Sequence, residues 1–443
     1  MRTRSDQHKG KRPELLLPAG SREKAEAALL FGADAIYMAG EAYGLRAQKT
    51  AFEHEELAEV IAFAHRLGRK VYVTMNIIAH EEDLKGVKAY ARYLYEIGAD
   101  AVIAADPGLI CLIREEVPEL AVHLSTQTST CNSASCRFWH EKGIKRIVLA
   151  RELTLDEISA MRKKVPEDLE FEAFVHGAMC VAYSGRCLLS NLLTGRDANR
   201  GECAQPCRWS WLPAPAAETA EEAPDEDAAS LRLFEDQRGA YFFNSRDLCM
   251  IEYIPQLIEA GIDSFKVEGR MKGAFYAAMT AKIYREAIDL YLQEGEDYET
   301  QERWLYELNQ MVHRSYDTGF YFERPQETAK IDPERSYHRV AAVVARTLEA
   351  APGSDEGLIF CSQRNKIFPG DALEIIRPQG RNLRLKVRTL LDETGQAIPD
   401  TRHPTMPFYL SREDLRPEDR EEVIPAGSFL RRKGNKDIPK KKR

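Results

Sequence analysis

Eight short, β-branched apolar runs recur through the first 290 residues, each followed by a turn and a stretch with apolar residues three and four apart. The runs are LLLPAG (15–20), AIYMAG (35–40), KVYVTMN (70–76), AVIAAD (101–106), AVHLST (121–126), RIVLAR (146–151), LEFEAFV (169–175) and SFKVEG (264–269). Segments such as SREKAEAALLFG, HEELAEVIAFAHRLG, LKGVKAYARYLYEIG and LDEISAMRKKV separate them, and several close on the glycine that helix C-termini prefer. An open doubly wound sheet shares this alternation, but a count of eight predicts a (β/α)8 TIM-like barrel, here over residues 13–330.

The chain has 443 residues and is 44% apolar, enough for a second domain. From about residue 336 the pattern changes to period two. HRVAAVVARTLEA, GLIFCSQRNKIFPGDALEIIRP and NLRLKVRTLLDETGQ, with FPGD and ETGQ as turns, predict a small C-terminal all-β domain over 336–430. Lysine and arginine on its strands, as in NLRLKVR and SQRNK, suit RNA backbone, whereas Phe360 and Phe368 read first as core.

A net charge of −8 argues against a nucleic-acid partner only until its distribution is considered. PAPAAETAEEAPDEDAAS (213–230) is an acidic, Pro/Ala-rich insertion with the composition of a disordered segment. Opposing it are a basic N-terminal tail, 1–12, and the basic tail RRKGNKDIPKKKR, 431–443. No apolar run reaches the roughly 18 residues of a membrane span. The N-terminal residues lack the apolar stretch of a secretory signal, so the expectation is a cytoplasmic protein with reduced thiols.

Cys180, Cys187, Cys203 and Cys207, four of the nine cysteines, follow the seventh run with spacing C-x6-C-x15-C-x3-C. Zinc ribbons favour tight C-x2-C knuckles, while iron–sulfur loops tolerate looser spacing and Gly-rich backbone, which Gly185, Gly195 and Gly201 supply. An iron–sulfur cluster, a zinc site and unligated buried thiols all stay open on spacing alone.

Barrel enzymes carry their chemistry at the C-terminal ends of the strands. Arg46, Arg151 and Arg270 fall there and would suit a small polyanion, although each is equally a rim salt bridge. Asn76, Asp106, Ser125, Gln127 and Glu152 fall there too. Glu172 and Glu268 are candidate acid/base groups and equally structural partners of an arginine, and His176 is a candidate catalytic residue that reads more readily as a packed residue behind the site.

EAFVHGAMCVAYSGRCLLS (172–190) closely resembles the signature of the collagenase-like peptidase family U-thirty-two. The resemblance extends over ELLLPAGSREKAEAALLFGADAIYMAG, HLSTQTS, LARELT, FNSRDLCMI and FKVEGRMK, covering essentially the whole barrel. Through the C-terminal region the chain looks most like the branch that forms 5-hydroxyuridine at the tRNA wobble position. That resemblance implies an oxygen-independent tRNA uridine 5-hydroxylase that takes its hydroxyl from prephenate, a small dicarboxylate co-substrate. It also implies a [4Fe–4S] cluster on Cys180, Cys187, Cys203 and Cys207, with Cys249 of SRDLCMI as an alternative to Cys207, and a possible partner protein of the same family. Prephenate would lie against arginines such as Arg46, Arg151 and Arg270.

The peptidase alternative meets a chemical obstacle. HEELA (54–58) and HEEDL (80–84) each lack the second histidine of H-E-x-x-H, and four clustered cysteines invite metal or oxidation rather than serve as one nucleophile. Hydroxylation of another RNA or a small acceptor, and a noncatalytic metal-stapled RNA-binding protein, complete the alternatives.

Overall fold

The computed structural model describes residues 11–44, 51–179, 245–324, 341–350 and 355–433, with 189–194, 196, 204, 235–236 and 239–240 between them. Strands β1 (Glu14–Pro18), β2 (Ala35–Gly40), β3 (Lys70–Met75), β4 (Ala101–Ala104), β5 (Ala121–Leu124), β6 (Arg146–Val148), β7 (Glu170–Ala178) and β8 (Ser264–Val267) pair in parallel in that order. β8 also pairs with β1, through Glu14↔Ser264 and Leu15↔Phe265, so the sheet closes on itself and the expected eight-stranded barrel is present.

Helices α1 (Arg22–Leu30), α2 (His54–Arg66), α3 (Val87–Glu96), α4 (Pro107–Glu116), α5 (Ser133–Glu141), α6 (Leu155–Arg162), α7 (Ile254–Glu259) and α8 (Ala274–Glu294) surround it, followed by α9 (Glu302–Asn309). Local chemistry fixes their starts. Ser21 accepts from Lys24 N, Asp106 accepts from Gly108 N and Leu109 N ahead of Pro107, and Thr154 and Glu157 form a reciprocal capping box. A repeated turn fixes three returns to the sheet: in GAD (32–34), GAD (98–100) and GID (261–263) the glycine takes a positive φ. The aspartate that follows accepts the backbone N–H of Leu15, Val71 and Phe171 respectively. Side chains alternate along the strands, so Leu15, Leu17, Ile36, Met38, Val71, Val73, Val122 and Phe265 bury themselves against the helices.

The other side of the strands fills the barrel, and it carries charge. Beside an apolar group of Leu16, Ala35, Tyr37, Tyr72, Ala101 and Ile103, buried ions neutralise one another. Arg146 pairs with Glu14 and also lies 3.3 Å from Glu172, while Lys266 Nζ donates to Glu172 Oε1 at 2.6 Å. Tyr72 donates to Glu14 at 2.6 Å, and Ser264 donates to Glu14 and Glu172. Burial pushes Glu14 up, yet the Arg146 guanidinium outweighs it and holds the carboxyl below its ordinary value.

The C-terminal domain is an eight-stranded antiparallel sheet. Its strands are β9 (Ala341–Thr347), β10 (Leu358–Gln363), β11 (Ala372–Ile376), β12 (Leu383–Lys386), β13 (Leu390–Leu391), β14 (Ala397–Ile398), β15 (Pro407–Ser411) and β16 (Phe429–Lys433). Phe429 meets Phe31 and Phe275 of the barrel, with centroids 5.9 and 5.5 Å apart. Arg431, fully buried, pairs with Glu374 of its own sheet and Glu307 of α9. Arg431–Lys433 therefore belong to the last strand, whereas the sequence placed them at the start of the basic tail. At the other end, Lys11 and Arg12 of the N-terminal tail bind Asp263 and Asp34.

Replacing Arg146 by methionine leaves Glu14 and Glu172 buried without their shared cation, and should cost about 3–5 kcal/mol. Urea unfolding checks this. Because Glu14 has a lowered pKa when folded, its contribution is intact above its ordinary 4.5 and is lost as pH falls below that value.

Candidate functional site at the barrel mouth

The seventh strand organises the mouth. At nine residues it is the longest of the barrel, and its register against β8 shifts between Lys266 and Val267, so that Lys266 faces Phe174 while Val267 faces His176. This bulge places one extra residue, Val175, in β7 and reverses the facing of the residues beyond it. Glu172 and Phe174 point into the barrel, whereas His176 turns outward beneath α8. There its ring lies 5.8, 5.5 and 5.3 Å from those of Tyr276, Tyr284 and Tyr316.

Past the bulge β7 acquires a new neighbour. A short strand, Asp247–Cys249, runs antiparallel to His176–Ala178, and Ser245 Oγ donates to Met179 O at 2.7 Å. Asp247 is held by a buried Arg314 through bonds of 2.9 and 2.7 Å. The segment 180–244, which holds the four clustered cysteines, therefore leaves and re-enters at one point on the C-terminal rim. Cys180, Cys187, Cys203, Cys207 and Arg46 themselves lie outside the described residues.

Arg151 and Arg270 both reach the mouth. Arg270 is buried and its NH1 lies 3.5 Å from Thr74 Oγ1, so it crosses the ends of β1 and β2. Arg151 donates to Ala178 O at 2.9 Å, and its guanidinium sits 3.8 Å from the centre of the Phe174 ring, while its buried Nε meets no acceptor. Glu268, half-buried, accepts from Tyr37 at 3.3 Å. Between them stand Asn76 and Gln127: Gln127 Oε1 accepts from Asn76 at 2.7 Å and from Ser125 at 3.0 Å, leaving its buried Nε2 with no acceptor. Burial also raises the pKa of Glu152 above the ordinary carboxylate value.

Two candidates from the sequence sit elsewhere. Glu172 is the third residue of a long strand, well below the mouth, and its oxygens are occupied by Lys266, Arg146 and Ser264. His176 is closed off by the bulge; burial drives its pKa down to about 3, so its imidazole is neutral, and Tyr284 lies 3.3 Å from its Nδ1. Asp106, also at a strand end, is engaged in capping α4. Lys266 was the residue missed. A lysine inside the apolar run SFKV signals a buried cation, and here its ammonium lies 4.6 Å from the centre of the Tyr37 ring, in the floor below Glu268.

The donors converging on this rim, two guanidiniums and an unsatisfied carboxamide, suit a ligand rich in carbonyl or carboxylate oxygen. Among the described residues no His, Cys, Asp and Glu cluster forms a metal site, and His54 and His80, of the two H-E-E sequences, are both exposed. Cys249 is enclosed in the core, where burial pushes its thiol up to about 12.

The sequence pattern of Peptidase family U32 matches residues 20–331, and that of the family's C-terminal domain matches 337–421. The chain is 39% identical over 394 residues to tRNA hydroxylation protein P1 of Bacillus subtilis, covering 89% of this chain and 90% of that protein. It is 37% identical over 423 residues to tRNA hydroxylation protein P of Escherichia coli, covering 88% and 91%. Over 286 residues it is 37% identical to the 23S rRNA 5-hydroxycytidine C2501 synthase of Escherichia coli, covering 65% of this chain and 41% of that protein.

Gly177 has φ +105°, and a Cβ there would come within 2.1 Å of Glu268 O. Gly177→Ala should therefore lower stability by at least about 1–3 kcal/mol and displace Glu268 together with the base of the cysteine segment. Thermal melting and activity should fall together. His176 makes a separate prediction: its folded pKa is about 3 against 6.5 when unfolded, so stability should decline as pH drops below 6.5. His176→Phe should flatten that decline in an unfolding series.

Proposed function

The chain belongs to Peptidase family U32, and from that premise we propose that it is a tRNA-modifying enzyme that forms 5-hydroxyuridine at the wobble position. The observation that carries this reading is similarity to two tRNA hydroxylation proteins along about nine-tenths of both chains, including the C-terminal domain. The donor-lined mouth supports it. An unpaired wobble base can be splayed into such a pocket without opening a duplex, and a buried carboxamide donor suits a uracil carbonyl.

In this reading Arg151 and Arg270, with Arg46, receive the carboxylates of prephenate, the hydroxyl donor. Guanidiniums partly stripped of water bind carboxylates more strongly than they would in bulk solvent. Glu268, oriented by Tyr37, is the carboxylate best placed to move a proton at the base or the donor. Glu172 keeps Lys266 in the floor and does not meet substrate.

Cys180, Cys187, Cys203 and Cys207 would hold a [4Fe–4S] cluster. The donor set fits that group in its chemistry, four thiols on one segment whose two ends are anchored at the rim by Ser245 and Asp247. A bound cluster would supply an electron-transfer or Lewis-acid centre beside the pocket. Zinc is the less suitable occupant for the spacing.

Nucleosides from total tRNA of a deletion strain test this. The 5-hydroxyuridine family should vanish on deletion, return with the wild-type gene and stay absent with Cys180→Ala or Glu268→Gln. Protein purified without air should carry iron and acid-labile sulfide, which Cys180→Ala should lose. A nucleoside profile untouched by deletion would overturn the assignment.

A further inference from the structure

The C-terminal domain carries a charge imbalance that neither its core nor its contact with the barrel explains. Along β12 and the residue pair after it, Leu383, Leu385 and Val387 are buried while Arg384, Lys386 and Arg388 face outward. These three line a groove of about 550 Å³ together with Arg416, Arg420 and Lys433. Against six cations the groove offers two carboxylates, Glu374 and Asp414, both buried. Glu374 is already shared by Arg431, Lys433 and Arg384. Lys386 forms no ion pair with a described carboxylate, and Arg388 has Asp414 beside it, whose Oδ2 accepts the Arg388 backbone N–H. A chain with net charge −8 thus concentrates a local excess of positive charge on one strand.

We propose that this groove binds the phosphodiester backbone of the RNA whose base enters the barrel mouth. Three features carry the proposal, which rests on the RNA-modifying reading above. Outward residues on a strand recur about every 6.6 Å, a rise suited to successive phosphates of one RNA strand. Lys433, at one edge of the groove, is followed in the sequence by the basic stretch GNKDIPKKKR. A run of backbone contacts also joins one edge of the groove to the barrel: Lys433 pairs with Ala341, whose N–H donates to Gln310 O. Two residues on, Val312 O accepts from Lys272, in the loop that follows Arg270. Phosphate contacts fix register without reading sequence, so the groove would set which nucleotide reaches the pocket.

The test uses the full chain with Lys386→Glu and Arg388→Glu together, both outward-facing, and follows tRNA affinity across a salt series. Each lost phosphate contact should reduce the slope of log affinity against log salt by about one, so by about two for the pair, with affinity falling on the order of tenfold or more at low salt. Lys386→Ala with Arg388→Ala, which adds no repulsion, should give the same change in slope. The melting temperature should not move. An unchanged slope in both variants, beside normal binding by the wild type, would overturn the groove while leaving the enzyme assignment intact. Equal wild-type affinity for a polyglutamate peptide and for tRNA would assign the groove to an acidic protein and overturn it also. The nucleoside experiment reads catalysis independently of either result.

Discussion

A closed set of buried charges, Glu14, Arg146, Glu172 and Lys266, is the interaction on which the rest of the structure depends. Two acids and two bases sit on β1, β6, β7 and β8, the strands around the seam where the sheet closes. Glu172, Lys266 and Arg146 are buried and Glu14 nearly so, with Arg146 reaching one further, half-exposed acid in Glu170, so each is tolerable only when the strands hold the register that brings its partners within reach. Slipping one strand by a residue would send the charge of that strand outward among the helices. The network therefore selects one closure of the barrel, although as a source of net stability it is weaker than the apolar layer outside it.

From that fixed floor the seam opens upward in a controlled way. Lys266 is bound by Glu172 below the bulge, and Val267 faces His176 above it. The bulge frees the end of β7 to take a second, antiparallel partner, and that partner ties the exit and return of the cysteine segment together. His176 has exchanged a place among the pocket residues for one in the packing that holds this hinge. Its ring is packed among three tyrosines as a buried neutral group.

Much of the fold was legible because period-two and period-3.6 patterns are strong in parallel α/β units. The eight runs correspond to the eight strands, and the change of pattern near 336 marks the second domain. The G-x-D repeat at 32–34, 98–100 and 261–263 was also present in the sequence, with its function in returning helices to strands hidden until the hydrogen bonds to Leu15, Val71 and Phe171 were seen. The mouth was only partly legible. Arg151 and Arg270 follow from their positions at strand ends, and both reach the rim. Glu172 and His176 stood open in the sequence between catalysis and packing, and their placement in packing has different causes: the first lies deep in a nine-residue strand, and a register shift, which composition does not announce, turns the second away. Gln127 looked like one polar residue among several in STQTS, and only the orientation given it by Asn76 and Ser125 singles out its amide nitrogen.

The ionic joint at Arg431 bears on what it would take for the two domains to part. Its guanidinium has a carboxylate in each domain, Glu374 at home and Glu307 across the boundary. Were the domains separated, Arg431 would keep Glu374, and Glu307 would return to water on the surface of a helix, so neither half would be left with an orphaned charge. The cost of parting would fall instead on the apolar side of the boundary, where Phe429 and Ile376 are packed into the core of the barrel and would be left uncovered.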